Sequence, residues 1–177
     1  MIKSYIKFSV LLLLLCTSCK EDSNQILPQK FIGENKIVGE VVGISDGDSF
    51  KIKLSNGEVI RVRLAFVDCP ERGQDFYQKA KNFSSNEIYR KSVKVKVTDT
   101  DRYGRTVGVL YYGHKILNEE LLKNGFAWHY RQYSKSKRFQ SLENQAKAKK
   151  IGIWSHSQPT PPWEFRRTHI QKRNTNL

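Results

Sequence analysis

The amino-acid sequence predicts an α+β domain in which about three helices pack on a five-stranded β-barrel. Apolar residues alternate with polar ones in five short segments, which is the pattern of strands buried on one face. Three other segments have helical spacing, one after the third strand and two after the fifth. With 177 residues, the chain is long enough for one domain with a core and too short for two ordinary ones.

Turn signals separate the predicted strands. Asp46-Gly47 lies between the first and second strands, and Asn56-Gly57, a strong two-residue hairpin turn, lies between the second and third. Three strands, a helix, two strands and then helices are typical of the OB-fold, the commonest small barrel that binds nucleic acid. We predict strands near 38–44, 50–54, 60–66, 93–97 and 106–112, and helices near 75–90, 116–124 and 136–150.

The N-terminus has the features of an export signal. Lys3 and Lys7 precede the apolar run FSVLLLLL, which is too short to span a bilayer and is typical of a signal-peptide core. Thr17-Ser18-Cys19 resembles a bacterial lipoprotein cleavage site, with Cys19 as the lipidated first residue. We therefore expect an exported protein, held at the membrane of the bacterial cell envelope by a lipid anchor or extracellular after release.

Composition divides the chain into four expected regions. These are a lipoprotein signal peptide at 1–18, a polar tether at 19–35, the folded domain at 36–155 and an extension at 156–177 that contains Pro and Trp. Within the extension, the run PTPPW predicts an extended segment, and the polar residues from about Thr168 are expected to fray.

The net charge favours a polyanionic partner. The chain has 31 Lys and Arg residues against 17 Asp and Glu residues, a formal net charge of +14. Such a surplus is typical of proteins that bind nucleic acid or an anionic membrane surface. Charge alone does not decide between these two partners.

Acidic residues lie at the ends of the predicted strands. Asp46 and Asp48 follow the first strand, and Asp68 and Glu71 follow the third. Carboxylates at the ends of two hydrogen-bonded strands can converge on one oxygen-lined site, which suits a hard divalent cation. Taken singly, each of these acids fits a solvated turn equally well.

Arginines accompany the acids. Arg63 precedes Asp68 on the third strand, and Arg102 and Arg105 surround a glycine between the fourth and fifth strands. The planar fork of a guanidinium matches phosphate oxygens. Acids for a metal and arginines for phosphate are the minimal equipment for metal-assisted cleavage of a phosphodiester.

Three motifs, in this order, resemble those of the thermonuclease (micrococcal nuclease-like) family. They are DGDS at 46–49, RLAFVDCPE at 63–71 and TDRYGR at 100–105, and similarity extends over about residues 36–155. The tail PPWEFR at 161–166 resembles that of bacterial thermonuclease-like lipoproteins. The resemblance implies a Ca²⁺-dependent endonuclease that hydrolyses phosphodiester bonds of DNA and RNA with little sequence specificity and leaves 3′-phosphate ends.

The resemblance also implies a metal site and a catalytic acid. Asp48 and Asp68 would bind Ca²⁺ through their side chains, and Cys69 would bind it through its main-chain carbonyl. Glu71 would act as the general base that activates water, or would orient that water; both roles stay open.

Five further residues would contact the substrate. By the same resemblance, Arg63 and Arg105 would stabilise negative charge on the transition state. Tyr103 would contact phosphate, and Tyr130 and Tyr133 would stack on the substrate, although their spacing differs by one from that of the family.

Two other classes of function are compatible with the composition. One is a non-catalytic OB-fold lipoprotein that binds nucleic acid, and the other is a basic lipoprotein that adheres to anionic envelope polymers. Replacement of any acid or arginine of the site would favour the binding-only OB-fold. All five are present, namely Asp48, Asp68, Glu71, Arg63 and Arg105. We expect a monomer with no protein partner.

Overall fold

The computed structural model describes residues 35–175, which form eight strands, four α-helices and one short 3-10 helix. The strands are β1 (Lys36–Asp46), β2 (Ser49–Lys53), β3 (Val59–Leu64), β4 (Val67–Asp68), β5 (Ser92–Thr100), β6 (Thr106–Tyr112), β7 (Lys115–Ile116) and β8 (Trp128–His129). The helices are α1 (Tyr77–Ile88), α2 (Leu117–Lys123), α3 (Lys137–Ala148) and α4 (Pro162–Thr175), with the 3-10 helix at Gly152–Ser155.

Five strands close into a barrel in the order β3-β2-β1-β5-β6. The closing pair, β3 with β6, is parallel, and places Val62 opposite Thr106 and Leu64 opposite Gly108. The other pairs of the barrel are antiparallel. Helices α1 and α2 pack against the barrel, and α3 packs against α2. The predicted α+β class and five-stranded OB-fold are confirmed.

The alternation in the sequence explains which strand faces form the core. In β2, Phe50 and Ile52 are buried whereas Lys51 and Lys53 are exposed. The same alternation continues in β5, and each fully buried aliphatic or aromatic side chain contributes about 1.5–3 kcal/mol to the free energy of unfolding. Among the described residues, the helices complete this core with apolar side chains that include Ala80, Ile88, Leu117, Leu121, Leu122, Phe139 and Leu142.

Two glycines allow the end of α2 to touch the 3-10 helix. Gly125 and Gly152 both have positive φ, 66° and 59°. A Cβ on Gly152 would lie 2.1 Å from the carbonyl oxygen of Gly125, so the two backbones pass too closely for any other residue. The Ile153 amide donates to that same oxygen at 2.8 Å and fixes the contact.

The short pair of β4 with β8 was not predicted from the sequence. Here Val67 faces His129 and Asp68 faces Trp128. The predicted third strand ends at Leu64 instead of residue 66 because Phe66 adopts a positive φ of 67°, which turns the chain away from the barrel.

The C-terminal extension differs from the prediction. Helix α4 begins at Pro162, within the segment 159–163 that was expected to be extended, and continues to Thr175 through the residues that were expected to fray. Proline suits the first position of a helix because its fixed φ is helical and its missing N–H has no partner there in any case. The prediction was wrong because a run of three prolines in five residues was interpreted as extended throughout.

The predicted signal peptide and Cys19 lie outside the described residues. No helix within residues 35–175 has the length and apolar character needed to cross a bilayer.

Buried Glu143 of α3 supports the β4–β8 pair. Its Oε1 accepts the His129 amide at 3.0 Å, and its Oε2 accepts Lys147 at 2.9 Å and Arg131 at 3.2 Å. Burial opposes the charge of Glu143, but the hydrogen bonds from Lys147 and the His129 amide outweigh it and hold the pKa below its usual value. Glu143 therefore connects α3 to β8, the strand that pairs with the strand of Asp68.

We expect Glu143→Gln to lower the free energy of unfolding by about 2 kcal/mol at pH 7, because charge-assisted bonds to a buried carboxylate are lost. The folded-state pKa is lowered, so the stabilisation is present above the unfolded-state value of about 4.3 and disappears as the pH falls through the folded-state value. Urea denaturation of both proteins at pH 7 and below pH 4 measures the difference.

Glu58→Gln, in the exposed turn between β2 and β3, is the matched control and should leave the midpoint unchanged. Equal midpoints for wild type and Glu143→Gln at pH 7 would contradict the supporting role of Glu143.

Candidate active site

Two buried aspartates meet on one arginine. Asp48 lies in the turn between β1 and β2, and Asp68 ends β4. Arg63 reaches them from β3, where the register places it opposite Ser49, the neighbour of Asp48. Its Nη1 lies 3.0 Å from Asp48 Oδ1, and its Nη2 donates to Asp68 Oδ1 in a short bond. The structure thus brings together three of the residues that the sequence predicts for the site.

Burial sets the electrostatics of this centre. Burial raises the pKa of Asp48, and the nearby Asp68 charge raises it further, while Arg63 opposes both effects. Burial also disfavours the charge of Arg63, but Asp48 and Asp68 more than compensate and raise its pKa above the usual range. The guanidinium therefore stays protonated, and the carboxylate pair depends on positive charge nearby.

The donor set fits a hard divalent cation. Asp48 and Asp68 provide carboxylate oxygens, and the Cys69 backbone adjoins them because its amide donates to Asp48 Oδ2 at 2.8 Å. Within residues 35–175 no group of three or more His, Cys, Asp or Glu side chains is arranged to hold a metal. A Ca²⁺ ion takes 6–8 oxygens, so main-chain oxygens and water would supply the others.

The Cys69 thiol is buried and is not a thiolate ligand. Burial raises its pKa well above the usual value, and the charge of Asp48 adds to this effect. A Cβ on Gly47 would lie 3.0 Å from Cys69 Sγ, so the thiol packs against the Asp46–Asp48 turn. This packing is compatible with the main-chain role implied for Cys69.

Glu71 is the partly exposed acid of the site. Its amide donates to Gln74 Oε1 at 2.8 Å, which holds the loop after Pro70. Its Oε1 accepts Arg166 Nη1 of helix α4 at 2.5 Å. Glu71 therefore adjoins the aspartate pair through an arginine that the sequence analysis did not include.

Arg166 also binds Asp68. Its Nη2 lies 2.8 Å from Asp68 Oδ2, and its Nη1 lies 3.2 Å from Asp68 Oδ1. The one sequence signal for this residue is its place in the tail at 161–166, three positions after Trp163 and thus on the same side of a helix. The sequence predicts no helix at these positions, so the spacing gained its meaning only from the structure.

Arg105 lies in the loop between β5 and β6, and its hydrogen bonds go to Asp101. Asp101 Oδ2 accepts Arg105 Nε at 2.6 Å, and Oδ1 accepts the amides of Arg105 and Tyr103 at 2.9 Å each. Burial opposes the charge of Asp101, but these bonds outweigh it and lower its pKa. Arg105 lies two residues before Val107, and Val107 pairs with Arg63 where β3 and β6 close the barrel. The structure therefore places Arg105 near the Arg63 strand without a described contact to the aspartate pair.

Three tyrosines of the predicted site differ in exposure. Tyr103 is exposed, with the guanidinium carbons of Arg102 and Arg105 at 5.0 and 5.5 Å from its ring centroid. Tyr133 is also exposed and contacts Tyr130 edge to face at 4.9 Å between centroids. Burial raises the pKa of Tyr130, and the charge of Asp68 adds to this effect.

The ring of Tyr130 is covered by helix α4. Trp163 stacks on it with the centroids 5.1 Å apart and the planes 1° from parallel. The Tyr130 amide donates to the Phe66 carbonyl oxygen at 2.8 Å, which fixes the tyrosine beside β4. Helix α4 therefore contacts the site at two places, one aromatic and one ionic.

Comparison with known proteins gives one consistent result. The family model described as "Staphylococcal nuclease homologue" matches residues 61–156. An "Uncharacterized endonuclease" of Haemophilus influenzae is 41% identical over 127 residues, which are 72% of this chain and 71% of that protein. A "Micrococcal nuclease" of Shigella flexneri is 38% identical over 149 residues, covering 78% of this chain and 84% of its own length.

A plant relative matches a similar share of the chain. A "Staphylococcal-like nuclease" of Arabidopsis thaliana is 38% identical over 120 residues, which are 66% of this chain and 37% of the plant protein. The matched family span of 61–156 includes Arg63, Asp68, Glu71 and Arg105 and ends before α4. The closed barrel, the acid and arginine cluster and these matches agree, and the chain belongs to the staphylococcal nuclease, or thermonuclease, family.

Proposed function

We propose that this nuclease is a Ca²⁺-dependent endonuclease that hydrolyses phosphodiester bonds of DNA and RNA with little sequence specificity and leaves 3′-phosphate ends. Nuclease activity follows from family membership, and the cation, the substrate range and the end chemistry are the proposed part. The observation that carries the proposal is the arginine-bridged pair of buried aspartates with Glu71 beside it. Acids for a cation and arginines for phosphate lie in one place.

Asp48, Asp68 and the Cys69 carbonyl would hold the cation. When bound, Ca²⁺ would polarise the phosphoryl oxygen and neutralise charge that develops there. Calcium is favoured over smaller cations because main-chain oxygens and water would complete an irregular set of ligands. Outside the cell, Ca²⁺ reaches about millimolar levels, so weak affinity suffices.

Glu71 is suited to handle the proton of the attacking water. Unlike the two aspartates, it is partly exposed, so its carboxylate can reach a solvent molecule. It would accept the proton as general base or hold the water in line for attack. Either role contributes about 10²–10⁴ to the rate.

Two arginines would stabilise the charge of the phosphoryl oxygens. Arg63 stays protonated between two carboxylates, and Asp101 fixes the direction of the Arg105 side chain. Loss of one such donor at a catalytic site costs about 3–4 kcal/mol in the barrier. We therefore assign both arginines to the transition state.

The remaining contacts would not read base identity. Tyr103 would contact phosphate, and Tyr133 would stack on bases; both side chains are exposed. Tyr130 would also stack on a base once Trp163 leaves its ring. Phosphate contacts and stacking are tolerant of sequence because every nucleotide has the same phosphate and every base has a flat face. The net charge of +14 adds a general attraction to nucleic acid.

We also propose that the protein is exported as a bacterial lipoprotein and acts as a monomer without a protein partner. The support is the N-terminal basic and apolar run that ends in Cys19. A lipid on Cys19 would hold the nuclease at the membrane of the cell envelope, and release would make it extracellular. Export separates an unspecific nuclease from the DNA of its own cell.

Calcium dependence is tested by digestion of plasmid DNA and of RNA with protein purified without residues 1–19. At about 1–10 mM Ca²⁺, both substrates should be degraded, excess EGTA should stop the reaction and added Ca²⁺ should restore it. The fragments should become primers for a polymerase only after phosphatase treatment, because their 3′ ends carry phosphate. Intact nucleic acid in Ca²⁺ would favour the binding-only alternative, and activity in EGTA would contradict the calcium requirement.

Glu71→Gln should bind DNA with nearly wild-type affinity and turn it over about 10²–10⁴ times more slowly, because the change removes the proton acceptor and keeps the shape. Single-turnover cleavage and fluorescence anisotropy measure the two properties. Asp75→Asn, which neutralises an exposed acid of the same loop, is the control and should leave turnover unchanged. An equal loss of binding and turnover would show that Glu71 is structural.

Lipidation is tested with the full chain expressed in bacteria that are fed radioactive palmitate. The wild type should be labelled and should sediment with membranes, and Cys19→Ser should be unlabelled and soluble in the periplasm or medium. Cys69, present in both proteins, controls for labelling at other thiols. An unlabelled wild type would contradict the anchor.

A further inference from the structure

Helix α4 covers both halves of the site from outside the span that the family model matches. Arg166 binds the carboxylates of Asp68 and Glu71, and Trp163 lies flat on Tyr130. The matched span ends at residue 156, before α4 begins at Pro162. Arg166 also hydrogen-bonds to the Tyr130 side chain, so the aromatic and ionic contacts form one continuous interface.

Asp68 is sealed by two arginines. The side chain of Asp68 is 0% exposed, and that of Asp48 is 2% exposed. Arg63 covers them from within the barrel wall and is 18% exposed, whereas Arg166 covers Asp68 from the last helix and is 37% exposed. A cation that arrives from solvent therefore reaches Asp68 most directly along the path that Arg166 fills.

Arg166 and a divalent cation require the same oxygens. Both Asp68 oxygens accept hydrogen bonds from Arg166, and Oδ1 accepts Arg63 as well. A guanidinium and a dication that share a carboxylate at contact distance repel each other. Binding of the dication to Asp68 is thus coupled to departure of Arg166, which is the more exposed of the two arginines, whereas Arg63 is held within the barrel wall.

The covering segment also contacts the loop after Pro70. Besides Trp163 and Arg166, the Thr160 carbonyl accepts Gln74 Nε2 at 2.9 Å. A Cβ on Gly73 would lie 3.6 Å from the Phe165 ring, which marks the edge of the contact with the loop after Pro70. The partners named here all lie outside the five barrel strands, so the segment can leave and return without unfolding of the barrel.

We propose that residues 160–166 form a latch that sets the cation affinity of the acidic centre. Arg166 and Ca²⁺ are alternative partners of Asp68 and Glu71. The stacking of Trp163 on Tyr130 helps to hold the latch closed. The latch rests on the proposed calcium dependence. A closed latch lowers the apparent affinity for Ca²⁺ by the fraction of molecules that are open. When the latch opens, the face of Tyr130 becomes free for a nucleobase.

Calorimetric titration of Ca²⁺ without nucleic acid tests the competition. Arg166→Gln should bind Ca²⁺ at least about fivefold more tightly than the wild type, because the closed state is lost. Arg167→Gln removes the same charge from the exposed neighbouring position and should stay within about twofold of the wild type. Unchanged or weaker binding by Arg166→Gln would overturn the latch and would identify Arg166 as a fixed part of the site.

The same titration separates the two proposals. If neither the wild type nor Arg166→Gln binds Ca²⁺, the calcium requirement fails, and the latch fails with it. If both bind Ca²⁺ with equal affinity, the calcium requirement stands, and the latch alone is wrong.

Movement of Trp163 away from Tyr130 is measured by fluorine NMR of protein labelled with 5-fluorotryptophan. The Trp163 resonance, assigned with Trp163→Phe, should shift on saturation with Ca²⁺ as the ring leaves Tyr130. In Arg166→Gln the resonance should lie part of the way to that position before Ca²⁺ is added. The resonance of Trp154, which lies in the 3-10 helix and has no part in the proposed movement, should shift less than that of Trp163. A Trp163 resonance that does not respond to saturating Ca²⁺ would overturn the latch.

Discussion

The bridge that Arg63 makes between Asp48 and Asp68 is the interaction on which the site depends. Two carboxylates cannot remain charged side by side in a buried place unless positive charge balances them. Arg63 provides that charge from the barrel wall, where pairing of β2 with β3 fixes its position. Helix α4 binds the acidic centre that this bridge assembles, and the proposed cation would bind the same carboxylates.

Strand pairing and buried hydrogen bonds around the bridge fix the position of Asp68. Asp68 stands on a two-residue strand, which would have little stability alone, and is positioned by β8 and through it by buried Glu143. On the other side, the buried Asn118 donates to the Ala65 carbonyl at 2.8 Å and accepts the Leu110 amide at 3.1 Å. These polar contacts lie in the core because the chain must turn out of the barrel at Phe66.

Much of the barrel and the heart of the site could be predicted from the sequence. Alternation predicts strands such as β2, and the ordered motifs predict one site for Asp48, Arg63 and Asp68, which are in contact in the structure. The β4–β8 pair could not be predicted because two residues have no periodicity. Arg166 was missed because its bond to Asp68 joins residues 98 positions apart, and no local pattern encodes that distance. The placement of Arg105 on Asp101 likewise depends on a loop conformation rather than on spacing.

The contact of Gly125 with Gly152 has a consequence for the reach of the C-terminal helix. It fastens the 3-10 helix to the end of α2, so the chain always departs from the same point at Ser155. The short connection from Ser155 to Pro162 then confines Arg166 to a small volume beside Asp68. Confinement of this kind gives the guanidinium a high effective concentration at the Asp68 carboxylate. Under the proposed competition with Ca²⁺, two glycines far from the acidic centre would therefore help to set the cation concentration that the site requires.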